Sequence, residues 1–143
     1  MREILFRGKR KDNGKWIEGG VCQTEGYTII LAFEDFKGTL YEPPSSELYD
    51  IEVIPETVGQ YTGLTDSNGK KIFEGDICSF IDFHSGSDVE TYCVGEWKYD
   101  EGQFYITNRL SSDMPDYIFY GEFDGYIIGN IHDKEKGEGN EKN

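Results

Sequence analysis

Asp82, His84, Asp88 and Glu90 crowd the Ser85-Gly86-Ser87 turn, and Cys93 follows shortly after. Carboxylates, an imidazole and a thiolate are the ligands a divalent cation takes. The spacing fits no metal-binding pattern, however, and acids are plentiful along the chain, so a solvated loop is the better reading. Nucleophilic chemistry fares no better. The thiols are Cys22, Cys78 and Cys93, and the imidazoles are His84 and His132. No Ser-His-Asp or Cys-His order emerges from them, and His132 opens a polar tail, a poor place for a general base. Gly63, Gly69 and Lys70 hint at a phosphate loop, yet no Ser or Thr follows the lysine and no helix pattern follows the loop. The expectation is a protein with no catalytic set, no metal and no cofactor.

Charge narrows the partners. The formal net charge is −14, with a sequence pI near 4.4. Residues 1–15 carry six bases (Arg2, Arg7, Lys9, Arg10, Lys11, Lys15) against Glu3 and Asp12, a net of +4. The remainder holds 26 acids and eight bases, a net of −18. An acidic surface repels phosphate backbones, which disfavours direct nucleic-acid binding. The basic start either touches an anion or neutralises acids of the same fold, and the second use is the commoner one. Three widely spaced cysteines without a signal peptide suggest reduced thiols in a cytosol. No apolar run approaches the roughly 20 residues of a membrane helix.

The elements that would position any site are strands. Aromatics make up 15% of the 143 residues, enough to fill a β core despite a mean hydropathy of −0.62. Residues 3–7 alternate and 16–21 read as a second strand, with Asp12-Asn13-Gly14 between them as a hairpin signal. Residues 27–33 (YTIILAF) read as a buried strand. Residues 34–50 read as loop, because Pro43-Pro44 bars a continuous helix. A short helix is expected near 45–50, capped by Ser with Glu47 in its first turn. Residues 51–54 form a brief strand that ends at Pro55. Strands are expected again over 77–83, 89–99, 104–107, 117–120 and 126–131, with a turn at Asp66-Ser67-Asn68-Gly69 and a hairpin at Asp100-Glu101-Gly102. The spacing of strands and turns indicates an all-β protein with at most short helices. A soft boundary at Pro55 divides an N-terminal β subdomain, 1–55, from 56–131. Residues 132–143, all polar or glycine after His132, read as a disordered tail.

Glycines 59, 63, 69 and 75 punctuate the run ETVGQYTGLTDSNGKKIFEGDIC, residues 56–78. This run resembles the hallmark of the YopX family of phage and prophage proteins. The resemblance rests on Thr57 to Leu64, Asn68-Gly69-Lys70, Ile72 and Glu74-Gly75-Asp76-Ile77. The opening MREILFRGKR and the closing Ile128-Gly129-Asn130-Ile131 extend it over nearly the whole chain. Phe73 and Cys78 depart mildly from the pattern, and the ending after Ile131 departs more. The resemblance implies a phage-borne protein in the host cytoplasm, with a small SH3-like barrel over 56–131. It implies no activity and no catalytic residues.

Read physically, the motif is mostly architecture: glycines for tight corners and Asp76 to bond backbone N–H groups. A functional reading makes Gln60, Tyr61, Thr62 and Asp76 a polar recognition loop. A second candidate surface is residues 116–126, where Asp116, Glu122 and Asp124 interleave with Tyr117, Tyr120 and other aromatics. Exposed tyrosines anchor protein partners. The function these features favour is non-enzymatic binding of a protein, from host or phage, or of further copies of the chain. The alternatives are an acidic mimic of nucleic acid that inhibits a host DNA-binding protein, and weak nucleic-acid binding through the basic start with Trp16.

Overall fold

A computed structural model of the chain describes residues 3–82, 91–107 and 123–133, excluding the side chains of 33–36, 82, 91 and 92. The described residues form ten antiparallel strands and no α-helix, only a 3-10 turn over Pro55–Thr57. The all-β reading holds. None of these elements is a helix long and apolar enough to cross a membrane. The chain divides into two compact units, with the division between Gln60 and Tyr61.

The first unit contains β1 (Phe6–Lys9), β2 (Trp16–Thr24), β3 (Tyr27–Phe36), β4 (Ser45–Val53) and the start of β5 (Gly59–Thr65). β1 and β2 pair around the expected turn, where Gly14 takes φ +72° and the Asn13 side chain accepts from Lys15 N at 2.9 Å. β3 and β4 pair over nine unbroken residue pairs, from Thr28↔Val53 to Phe36↔Ser45. β1 also pairs with the first residues of β5, and Arg10 bridges Val53 of β4. Lys11 N donates to Glu52 O at 3.1 Å, and Ile54 N donates to Lys9 O at 2.8 Å. The core is Ile30, Ala32 and Val53, with Phe6, Ile17, Val21, Ile51 and Val58 packed against them.

Two expectations fail here. Residues 45–50 are not a helix but most of β4, and residues 34–36 belong to β3, leaving only 37–44 as loop. The serine cap and first-turn glutamate are real local signals. They lose because Tyr49, Ile51 and Val53 favour a pleated surface, and β3 supplies a full ladder for this segment. Tertiary pairing overrides a weak local preference.

The second unit contains the rest of β5, β6 (Lys71–Phe73) and a four-stranded sheet in the order β10-β7-β8-β9. Its strands are β7 (Asp76–Asp82), β8 (Thr91–Asp100), β9 (Gln103–Ile106) and β10 (Gly125–Asn130). β8 turns into β9 where expected, with Glu101 at φ +50° and Gly102 at φ +80°. Trp97 lies at the centre of the core, its ring edge-on to Phe123 with centroids 5.4 Å apart. Phe80, Cys78, Cys93, Ile72 and Ile106 complete the cluster. The strand expected at 117–120, residues 83–90 of the acidic turn with His84, Asp88 and Glu90, and residues 134–143 lie outside the described residues.

Candidate interaction surface

The conspicuous motif folds into two polar corners of the second unit. At the first, between β5 and β6, Asp66 Oδ1 accepts from Asn68 N and Lys70 N, each at 2.9 Å. Its Oδ2 accepts from Ile127 N of β10 at 3.1 Å. Burial of Asp66 opposes its charge, but these three backbone donors together outweigh it and hold the carboxyl below its ordinary value. Ser67 N adds a bond to Gly125 O at 2.8 Å. The turn is thereby tied to the start of β10.

At the second corner, between β6 and β7, Gly75 takes φ +90°, which a side chain would strain. Gly75 N donates to Trp97 O at 2.8 Å, and Gly75 O accepts from Ile131 N at 3.0 Å. Asp76 is 1% exposed. It accepts from Phe73 N at 2.8 Å and from Asn130 Nδ2 at 3.0 Å. Asn130 Oδ1 accepts from His132 N at 2.8 Å. The Glu-Gly-Asp and Gly-Asn pieces of the family pattern thus meet in space, and both corner carboxylates bond the chain itself. Thr57, where the motif opens in the first unit, does likewise: its hydroxyl accepts from Lys9 N at 2.9 Å and donates to Ile54 O.

The other sequence candidates separate. Gln60 is half-buried opposite Phe6 in the first unit. In the second unit, the Tyr61 ring packs 5.7 Å from Phe73, with Lys71 Nζ 5.7 Å from its centroid. Thr62 Oγ1 donates to Ile72 O at 2.9 Å and accepts from Leu64 N at 3.2 Å. Asp124 is exposed and accepts a long 3.4 Å bond from Ser67 Oγ. Asp116, Tyr117, Tyr120 and Glu122 lie outside the described residues. A depression of about 560 Å³ beside the first corner is lined by residues 63–67, Phe123 and Asp124. Its only ionisable lining residues are Asp66 and Asp124, and the Asp66 carboxylate is already taken up by backbone N–H groups.

Arg7, Lys9, Arg10 and Lys11 of the basic start are engaged within their own unit. Arg7 stacks 4.2 Å from the Trp16 ring centroid, and Lys9 Nζ lies 5.4 Å from it. Arg10 bonds Asp12 through two nitrogens, and Lys11 reaches Glu52 at 3.1 Å. Of the cysteines, Cys78 and Cys93 are buried, and burial pushes the Cys78 thiol up to about 12. Cys22 is exposed on β2.

The surface that sequence reasoning missed is the β3–β4 hairpin. β2 pairs with β3 only over Tyr27–Leu31, so the hairpin continues past Leu31 as a two-stranded ribbon. At its tip Thr39 N donates to Glu42 O at 2.8 Å, and Thr39 Oγ1 accepts from Tyr41 N and Glu42 N, each at 3.1 Å. Gly38 takes φ +89°, and a Cβ there would sit 2.8 Å from Pro44 N. This bonded loop holds Leu40 and Tyr41 out at 90% and 91% exposure. Leu48 and Tyr49 of β4 are exposed as well, with Tyr49 Oη donating to Glu47 Oε2 at 2.7 Å. A signal was available in the sequence: a large apolar pair, Leu40-Tyr41, set between Gly38 and Pro43-Pro44 where turn chemistry alone needs polar residues.

The family model described as "YopX protein" matches residues 5–136. The chain belongs to the YopX family. Among solved structures, the chain is similar to protein EF1440 from Enterococcus faecalis, at 21% identity and a TM-score of 0.53. The match covers 94% of this chain and 96% of that one. At that identity the likeness concerns the fold alone. No curated protein matches the chain.

Proposed function

We propose that this YopX-family chain is a non-enzymatic accessory protein of a phage or prophage, acting in the host cytoplasm by binding a protein through the β3–β4 hairpin. The observation that carries the reading is the hairpin tip: Leu40 and Tyr41 stand almost fully exposed on a loop with its own hydrogen bonds. A loop fixed before contact loses little entropy on contact, and a tyrosine with an aliphatic neighbour is a strong anchor. The second unit, read as a small SH3-like barrel, is the scaffold of the family motif. Its support is the bonding of the Asp66 turn to β10.

Nucleic-acid mimicry would need carboxylates in a phosphate-like row. On β4, strand alternation sends Glu47 to one face and Asp50 and Glu52 to the other. Apolar contact is therefore the favoured use of this hairpin. Affinity capture with the full chain from infected cells, at low and at moderate salt, tests the proposal. The expected result is a protein partner, lost with Leu40→Ser and Tyr41→Ser together, or a further copy of the chain. Recovery of neither would overturn it.

A further inference from the structure

The outer edge of β4 has a chemistry that selects its occupant. Ile54 N and Glu52 O bond Lys9 and Lys11 on the side away from β3. By the alternation of an antiparallel ladder, the other even-numbered residues, Ser46, Leu48 and Asp50, also point their backbone N–H and C=O outward. Among the described residues no strand pairs with that stretch, and Ser45 through Asp50 are exposed. Natural edges are usually blunted by charges, above all lysine, by proline or by a bulge. β4 contains no lysine and no proline, its nine pairs with β3 run without a register shift, and the open stretch carries only Glu47 and Asp50 as charges.

We infer that this edge pairs with the same edge of a second copy of the chain, antiparallel about Leu48. The inference rests on the protein-binding reading of this hairpin and assigns its β4 edge, as distinct from the Leu40–Tyr41 tip, to a second copy. The free stretch runs from Ser45, just after Pro43-Pro44, to Ile51, just before the Lys9–Lys11 strand end. Its midpoint is Leu48. Pairing about that residue sets Leu48 against Leu48 of the second copy, Glu47 against Tyr49, Ser46 against Asp50 and Ser45 against Ile51. No acid then faces an acid, although the segment carries Glu47 and Asp50. A one-residue slip in either direction is excluded, because it opposes outward backbone groups with inward ones. A slip that centres the pairing on Tyr49 drives Ser45 into Val53, where Arg10 already sits. Centring on Glu47 or on Asp50 opposes like charges directly, which destabilises a cross-strand pair. The exposed side chains of Leu48 meet on one face, giving the ladder an apolar contact as well.

Sedimentation equilibrium of the full chain tests this, with Leu48→Pro as the decisive variant. The Leu48 N–H points away from β3, so proline there removes the central edge donor and spares the β3–β4 ladder. The wild type is expected to dimerise, and Leu48→Pro to weaken the dimer by about thirtyfold through two lost hydrogen bonds, with its unfolding curve unchanged. Register is read by oxidation in a Cys22→Ser background. Glu47→Cys and Tyr49→Cys proteins should cross-link when mixed, and neither should cross-link alone. A monomeric wild type, a dimer indifferent to Leu48→Pro, or cross-linking of either cysteine variant alone would overturn the inference. Should Leu48→Pro unfold, the cross-linking pattern decides. A monomer that still captures another protein through Leu40 and Tyr41 would sink the dimer and leave the broader binding reading standing.

Discussion

The motif corners and the β3–β4 hairpin use their residues in opposite ways. Asp66 and Asp76 are buried, and their carboxylates bond the backbone and Asn130. Leu40, Tyr41, Leu48 and Tyr49 are exposed and contribute nothing to either core cluster. The corners recruit polar residues to hold a backbone. The hairpin holds its backbone with a full ladder and a bonded tip, and leaves apolar side chains to solvent. The difference teaches that a distinctive sequence motif can be distinctive because its backbone is demanding. A binding surface, by contrast, needs only a few side chains that folding does not use.

The contrast breaks most easily at Asp76. Asp76→Ala strips two buried donors of their acceptor and should cost roughly 3 kcal/mol, read by urea unfolding. A loss below about 1 kcal/mol would mean the corner is ordinary surface.

Asp66 comes next, and its effect depends on pH. Its folded carboxyl titrates below the unfolded value, so its contribution is complete above the unfolded value, near 3.8, and is lost as pH falls through the folded value. Asp66→Asn should cost about 1–2 kcal/mol at pH 7. The gap from wild type should close as acid protonates the carboxylate. A gap independent of pH down to strong acid would remove the charge from the account.

Hairpin substitutions should barely register in stability. Tyr41→Ala and Leu48→Ala should each change unfolding by less than about 0.5 kcal/mol, while diminishing capture of a partner. Thiol titration of the folded protein gives the smallest signal. Cys22 should react with a disulfide reagent at pH 8, whereas Cys78, with its thiol near 12, should stay silent until unfolding. Rapid reaction of Cys78 would show that the second core is open to solvent.

Much of the fold was legible because it is written in local chemistry. Asn13-Gly14 and Glu101-Gly102 turn where backbone geometry demands, and the strands between them alternate. The role of Asp76 as a backbone acceptor was also readable from its place after a corner glycine. Its partner Asn130 was not, because the two are 54 residues apart and only folding joins them. Residues 45–50 misled because a serine followed by Glu47 looks like a helix start, whereas β3 decides the outcome from across the hairpin. The proposed contact surface was hidden for a related reason. Nothing local distinguishes an apolar residue bound for the core from one left outside, and Ile30 and Leu48 look alike until β2 is seen to stop at Leu31.

The central claim is that contact runs through the hairpin and not through the motif. Capture from infected cells tests it most directly, comparing Leu40→Ser with Tyr41→Ser in one chain against Gln60→Ala with Asp124→Ser in another. The account predicts that the first chain loses its bound protein and the second keeps it, with both unfolding like wild type. Retention by the first and loss by the second would contradict it.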